Sequence, residues 1–158
     1  MNTTKRAVVL ISGSGSNLQA FIDNVSNGQL PLDICLVISN KESAYGLERA
    51  LEAGINTACI KHGDYNSRLE FDQALIEQID RVEPDIIILA GFMRILTQEF
   101  VQHYQNRLVN IHPSLLPKYP GTNTHERVLE AGDQWHGASI HFVAVSYTHL
   151  TLPTILRV

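Results

Sequence analysis

The run Asp85–Gly91, DIIILAG, places four large aliphatic residues in a row with no polar side chain among them. A helix would turn some of that run towards water. A strand of an antiparallel sheet with one wet face would alternate. A strand covered on both faces has neither problem, and such strands belong to parallel sheets with helices above and below. The rest of the chain has to supply those helices. It does so in alternation: AVVLIS, DICLVIS, NTACI and RLVNIH read as further strands. Between them, NLQAFIDNVSNG repeats apolar residues at Leu18, Phe21, Ile22 and Val25, a helical spacing closed by Gly28. YGLERALEAG reads as a helix ended by Gly54. SRLEFDQALIEQIDRVEP carries Leu69, Phe71, Leu75, Ile76 and Ile79 and stops before Pro84. TQEFVQHYQ is helical, with Thr97 as its cap and Glu99 in its first turn. THERVLEAG adds a helix and GASIHFVAV a strand. The pattern predicts an α/β fold: an open, mostly parallel, doubly wound sheet of Rossmann type.

A chain of 158 residues suits one domain with a sizeable core, and its apolar fraction of 44% is ordinary. The formal net charge of −4 and the absence of a long basic run argue against a nucleic-acid partner. No apolar stretch is long enough to cross a membrane, and the N-terminal run reads as a first strand and not as a signal peptide. The cysteines, Cys35 and Cys59, match no metal spacing and read as reduced thiols of a cytoplasmic protein. No histidine pair has zinc-enzyme spacing, so no metal is expected.

In open parallel sheets ligands sit beyond the carboxyl ends of the strands. Three segments are expected there. SGSGSN, Ser12–Asn17, lies between strand and helix, where glycines let backbone N–H groups approach an anion at the helix start. It is neither the dinucleotide fingerprint, since Leu18 takes the place of the third glycine, nor a Walker loop, since no lysine follows. A phosphate and a plain capped turn remain equally open on this motif. AGFMRILT puts Arg94 just after an apolar strand, either as a polar anchor in an apolar slot or as a surface arginine. Arg68 on the long helix reads first as part of a solvated face. The third segment, NIHPSLLPKYPG, sets Asn110 and His112 two residues apart on a strand, hence on one face. Packing needs neither. An amide can donate to an oxygen that gains negative charge, and an imidazole can move a proton near neutral pH.

VLISGSGSNLQA, SNKESAYGLERA, LAGFMRILT, LVNIHPSLLPKYPG and HGASIHFV together resemble the phosphoribosylglycinamide formyltransferase (glycinamide ribonucleotide transformylase) family, nearly continuously from Lys5 to Val143. The resemblance implies transfer of a formyl group from 10-formyltetrahydrofolate to the amine of glycinamide ribonucleotide, in purine synthesis. It implies that Gly15, Ser16 and Asn17 hold the ribonucleotide phosphate. Arg68, Met93, Arg94, Ile95 and Leu96 would contact the folate. Asn110 would bind the formyl oxygen and His112 would act as the general acid. Residues 1–143 would then form a formyltransferase-like α/β domain and residues 144–158 a tail outside the family pattern. Thr148 stands where the family places an Asp that raises the histidine pKa. Family chains also continue with further strands and a terminal helix, so the chain is expected to lack those elements and to be nearly inactive. LTLPTILRV, interrupted by Pro153, is expected not to make a clean paired strand. The competing readings are a catalytically dead ligand-binding fragment, a methionyl-tRNA formyltransferase or a formyltetrahydrofolate hydrolase. Oligomeric state is not legible.

Overall fold

The computed structural model describes residues 4–112, 137–143 and 151–157. The strands are β1 (Lys5–Ile11), β2 (Leu32–Ser39), β3 (Thr57–Cys59), β4 (Ile86–Leu89), β5 (Leu108–His112), β6 (Gly137–Phe142) and β7 (Thr151–Arg157). The helices are α1 (Ser16–Ser26), α2 (Tyr45–Glu52), α3 (Arg68–Asp80) and α4 (Gln98–His103). All strands lie in one sheet of order β3-β2-β1-β4-β5-β6-β7. The first five run parallel, as the continuous apolar runs predict; β6 and β7 are antiparallel additions. The helix expected at THERVLEAG lies outside the described residues.

Side chains alternate across the sheet, so each strand feeds two cores. Ala7, Val9, Ile11, Val37, Ile88 and Val109 pack under α1 and α2 through Leu18, Ile22 and Ala50. Val8, Leu10, Ile38, Ile87, Leu89 and Leu108 pack under α3 and α4 through Phe71, Leu75, Ile79 and Phe100. Leu75 and Ile79 are fully buried, so truncating either to alanine should cost roughly 2–5 kcal/mol. The α3–α4 layer has a polar clasp as well. Buried Tyr104 donates to Asp80 Oδ1 at 2.7 Å, while the His103 ring meets Asp80 Oδ2 at 2.8 Å. Burial and the Asp80 carboxylate together push the Tyr104 phenol far above its usual pKa.

The strand order holds the main consequence for function. The chain steps outwards from β1 to β2 to β3, then returns to place β4 on the other side of β1. The crevice between the loops after β1 and β4 is therefore the switch point of the sheet, the place where such folds bind ligands.

The last strand departs from expectation. TLPTILR pairs with β6, Ile140 opposite Thr154 and Phe142 opposite Thr151. Leu152 and Pro153 together oppose His141, a two-for-one bulge on an edge strand. Proline is tolerated at such a bulge because it owes the ladder no N–H there. No helix among the described residues is long and apolar enough to cross a membrane.

Candidate active site

Ser12 is the knot of the crevice. It is buried at the end of β1, donates to Asn40 Oδ1 after β2 at 2.6 Å, and accepts the Met93 N–H after β4 at 2.8 Å. One hydroxyl thus ties three strand ends. Around it opens a cleft of about 260 Å³ lined by the Ser12–Asn17 loop, Lys41, Gly91 and Met93.

The loop keeps its shape through glycine and through α2. Gly15 caps α1 with φ 75°, the left-handed region that L side chains rarely adopt. No side-chain hydrogen bond caps the helix, so neither Ser nor Asn plays that role, and the first-turn N–H groups are not taken up by a capping side chain. A Cβ on Gly15 would sit 2.5 Å from the Gly46 Cα. A Cβ on Gly46 would collide with the Ile11 side chain. The two backbones also bond directly, Gly46 N–H to Gly13 O at 3.0 Å. Arg49, one turn along α2, donates from Nε to Ser14 O at 2.7 Å and stacks over Tyr45. Gly15 is buried, Asn17 half-buried and Ser16 exposed, so all three predicted phosphate residues stand at the cleft.

The loop after β4 carries the predicted folate segment. Met93 and Ile95 are exposed at 67% and 62%, whereas Leu96 is buried at 4% and pins the loop to the core. Arg94 is half-buried with its guanidinium 5.3 Å from the Phe71 ring centroid. Its Nε is buried and has no hydrogen-bond partner among the described residues. Thr97 caps α4 as expected, accepting the Phe100 N–H. Thr97 also gives its N–H and its hydroxyl to Asp72 Oδ2, both at 2.7 Å. Burial raises the Asp72 carboxyl pKa; the Thr97 hydrogen bonds, Arg94 and Arg68 pull the other way. Arg68 is exposed at the start of α3, four residues before Asp72, whose carboxyl its charge reaches.

Asn110 is half-buried on β5. Its register runs through Leu89 on β4 to Leu10 on β1, so it shares the α3–α4 face with those residues. With β4 between them, β1 and β5 lie about 10 Å apart. That separation sets an amide on β5 one small-molecule length from a loop on β1. The backbone of His112 ends β5, opposite Ser139; its side chain lies outside what is described, as do Thr148 and the PSLLPKYPG loop. The chemistry such an arrangement allows is bimolecular transfer: room for an anion at α1, room for a second ligand against the β4 loop, and an amide donor on β5 next to that loop.

Sequence reasoning missed Lys41, Arg49 and Asp72, and it placed Ser12 in the loop without its bonds to Asn40 and Met93. Only Asp72 left a usable signal: it lies on the stripe of Phe71, Leu75 and Ile79, where an acid has no packing reason to be.

Comparison with known proteins agrees with the fold. The family model described as Formyl transferase matches residues 5–149, running past Val143. The phosphoribosylglycinamide formyltransferase of Escherichia coli is 55% identical over 136 residues, which is 86% of this chain and 64% of the relative. The trifunctional purine biosynthetic protein adenosine-3 of Homo sapiens is 49% identical over 139 residues, 88% of this chain and 14% of the relative. The chain thus spans a little under two thirds of the bacterial relative. Among solved structures, the phosphoribosylglycinamide formyltransferase of Coxiella burnetii superposes with a TM-score of 0.84 at 49% identity, covering 98% of this chain and 73% of that one.

Proposed function

The chain belongs to the formyl transferase family, and from that premise we propose that it moves a formyl group from 10-formyltetrahydrofolate to the amine of glycinamide ribonucleotide, a step of purine synthesis. The observation that carries the reading is the Ser12 knot. It sets an anion-ready helix start and an apolar-lipped loop on either side of one crevice. The phosphate of the ribonucleotide suits the first turn of α1, behind Gly15, Ser16 and Asn17. The exposed side chains of Met93 and Ile95 suit a flat heterocycle, and the orphaned Arg94 Nε suits one of its acceptors. Exposed Arg68 suits the folate's carboxylates.

Both substrates held in one crevice replace a chance encounter with a fixed one. The folate brings the formyl carbon. Asn110 donates to the formyl oxygen as the amine attacks and that oxygen gains charge. His112 takes the proton released by the amine and gives one to the departing folate nitrogen as its bond to carbon breaks. The reduced thiols Cys35 and Cys59 support a cytoplasmic setting.

Turnover is expected to be slow in this chain. Thr148, at the place of the family's Asp, has no charge with which to favour the His112 imidazolium. That residue gives the second reading its support: a module that binds both ligands without transfer. A methionyl-tRNA formyltransferase fits less well, because the net charge is −4. The deciding experiment measures formyl transfer to glycinamide ribonucleotide, to water and to tRNA, in the native chain and in Thr148→Asp. We expect formylated ribonucleotide from both, and faster from Thr148→Asp. Transfer to water or tRNA alone would overturn the reading. Tight binding of both ligands with no transfer by either chain would favour the binding module.

A further inference from the structure

We infer that Asp72 is a positioning residue for the formyl donor: its buried carboxylate, presented by α3, fixes the loop of Met93, Arg94, Ile95 and Leu96 by gripping Thr97. The inference rests on the reading of that loop as the folate site and adds a residue to it.

The loop between β4 and α4 has no regular secondary structure, so its shape depends on its tethers. One end is held by the Met93 N–H on Ser12 Oγ, at 2.8 Å. The other is held at Thr97, whose N–H and hydroxyl both reach Asp72 Oδ2 at 2.7 Å. The neighbouring Phe71 takes the Arg94 guanidinium on its ring face, 5.3 Å from the centroid. Consecutive residues of α3 therefore receive the middle and the end of the loop, and Leu96 is pressed into the core between them.

A structural cap alone does not call for this arrangement. Asp72 is 1% exposed, and its second oxygen, Oδ1, is buried with no hydrogen-bond partner among the described residues. Burying a half-satisfied carboxylate works against stability. A residue that costs stability and shapes a pocket loop belongs to function more than to packing. Asp72 acts through Thr97 and not on a substrate directly.

The test separates loop geometry from general damage. Calorimetry on the full chain would measure binding of tetrahydrofolate and, separately, of glycinamide ribonucleotide, in the native protein, Asp72→Ala and Asp72→Asn. Loss of a buried acceptor should weaken tetrahydrofolate about tenfold in Asp72→Ala, with ribonucleotide affinity unchanged. Asp72→Asn keeps an oxygen able to accept both Thr97 donors and should restore most of the affinity. Amide exchange at Thr97 should accelerate in Asp72→Ala and recover in Asp72→Asn. If Asp72→Ala does not fold, Thr97→Val removes one of the two donors and should weaken tetrahydrofolate selectively. Unchanged tetrahydrofolate affinity, or equal loss for both ligands, in whichever variant folds would overturn the role of Asp72 alone. A native chain that binds ribonucleotide but no tetrahydrofolate would overturn the donor-site reading beneath it.

Discussion

Gly15 can be tested with one methyl group. Its φ of 75° disfavours any L side chain, and the added Cβ would press on Gly46. Gly15→Ala should shift the first turn of α1 and weaken ribonucleotide binding by tenfold or more on the order of 1–2 kcal/mol of strain. Tetrahydrofolate affinity should hold, since that loop is tethered elsewhere; calorimetry with each ligand decides it. Asn110→Ala in the Thr148→Asp background should lower turnover about 10²–10³-fold with both ligands still bound. Full turnover would remove Asn110 from the chemistry. Asp72 supplies a pH signature. Its raised pKa means that the folded chain keeps a proton that the unfolded chain has already released. Its contribution to stability is therefore greatest in acid and falls as pH rises through the window just above the usual carboxylate value of about 3.9. Urea melts across that window should show Asp72→Asn gaining on the native chain as pH rises. A constant difference would mean that the carboxylate is not desolvated. Asp72 also marks the limit of sequence reading at this scale. Its place on the apolar stripe was visible in the sequence, but its bond to a threonine 25 positions away was not.

At the scale of elements, α4 is short and leans on its start. Thr97 caps it, and the same residue binds Asp72. Thr97→Ala should cost about 1 kcal/mol for the cap and roughly 1–3 kcal/mol more for the carboxylate it deserts. Chemical denaturation of the Asp72→Ala, Thr97→Ala and double variants should give costs well short of additive, because one interaction is lost each time. Additive costs would show that the two residues act separately. Strands and helices of the first half were legible because one element at a time explains them: DIIILAG as a doubly covered strand, Thr97 as a cap. Strand β7 was not legible. Pro153 reads as a break until a partner strand supplies a bulge for it, and a single segment says nothing of its partner.

Over the whole molecule, the sequence implied a parallel sheet but not where its winding reverses. That place depends on which strand lies beside β1, and β4 carries no label for it. Once the order is known, Ser12, Asn40 and Met93 become neighbours although they are far apart in the chain. Ser12→Ala should therefore act on both halves at once. It deprives buried Asn40 of a donor and the Met93 N–H of an acceptor, and should weaken ribonucleotide and tetrahydrofolate together, unlike Gly15→Ala or Asp72→Ala. Selective loss of one ligand in calorimetry would mean that the crevice is two independent sites. The contact of Gly15 with Gly46 constrains how such a molecule can change over time. A side chain at either position is blocked by the backbone or core residue already opposite it, and side chains at both would aim into the same narrow gap. No order of single substitutions relieves the conflict. The Ser12–Asn17 loop and the start of α2 are therefore sterically one unit: a side chain at Gly15 or Gly46 requires the backbone of both segments to move, although they are far apart in sequence.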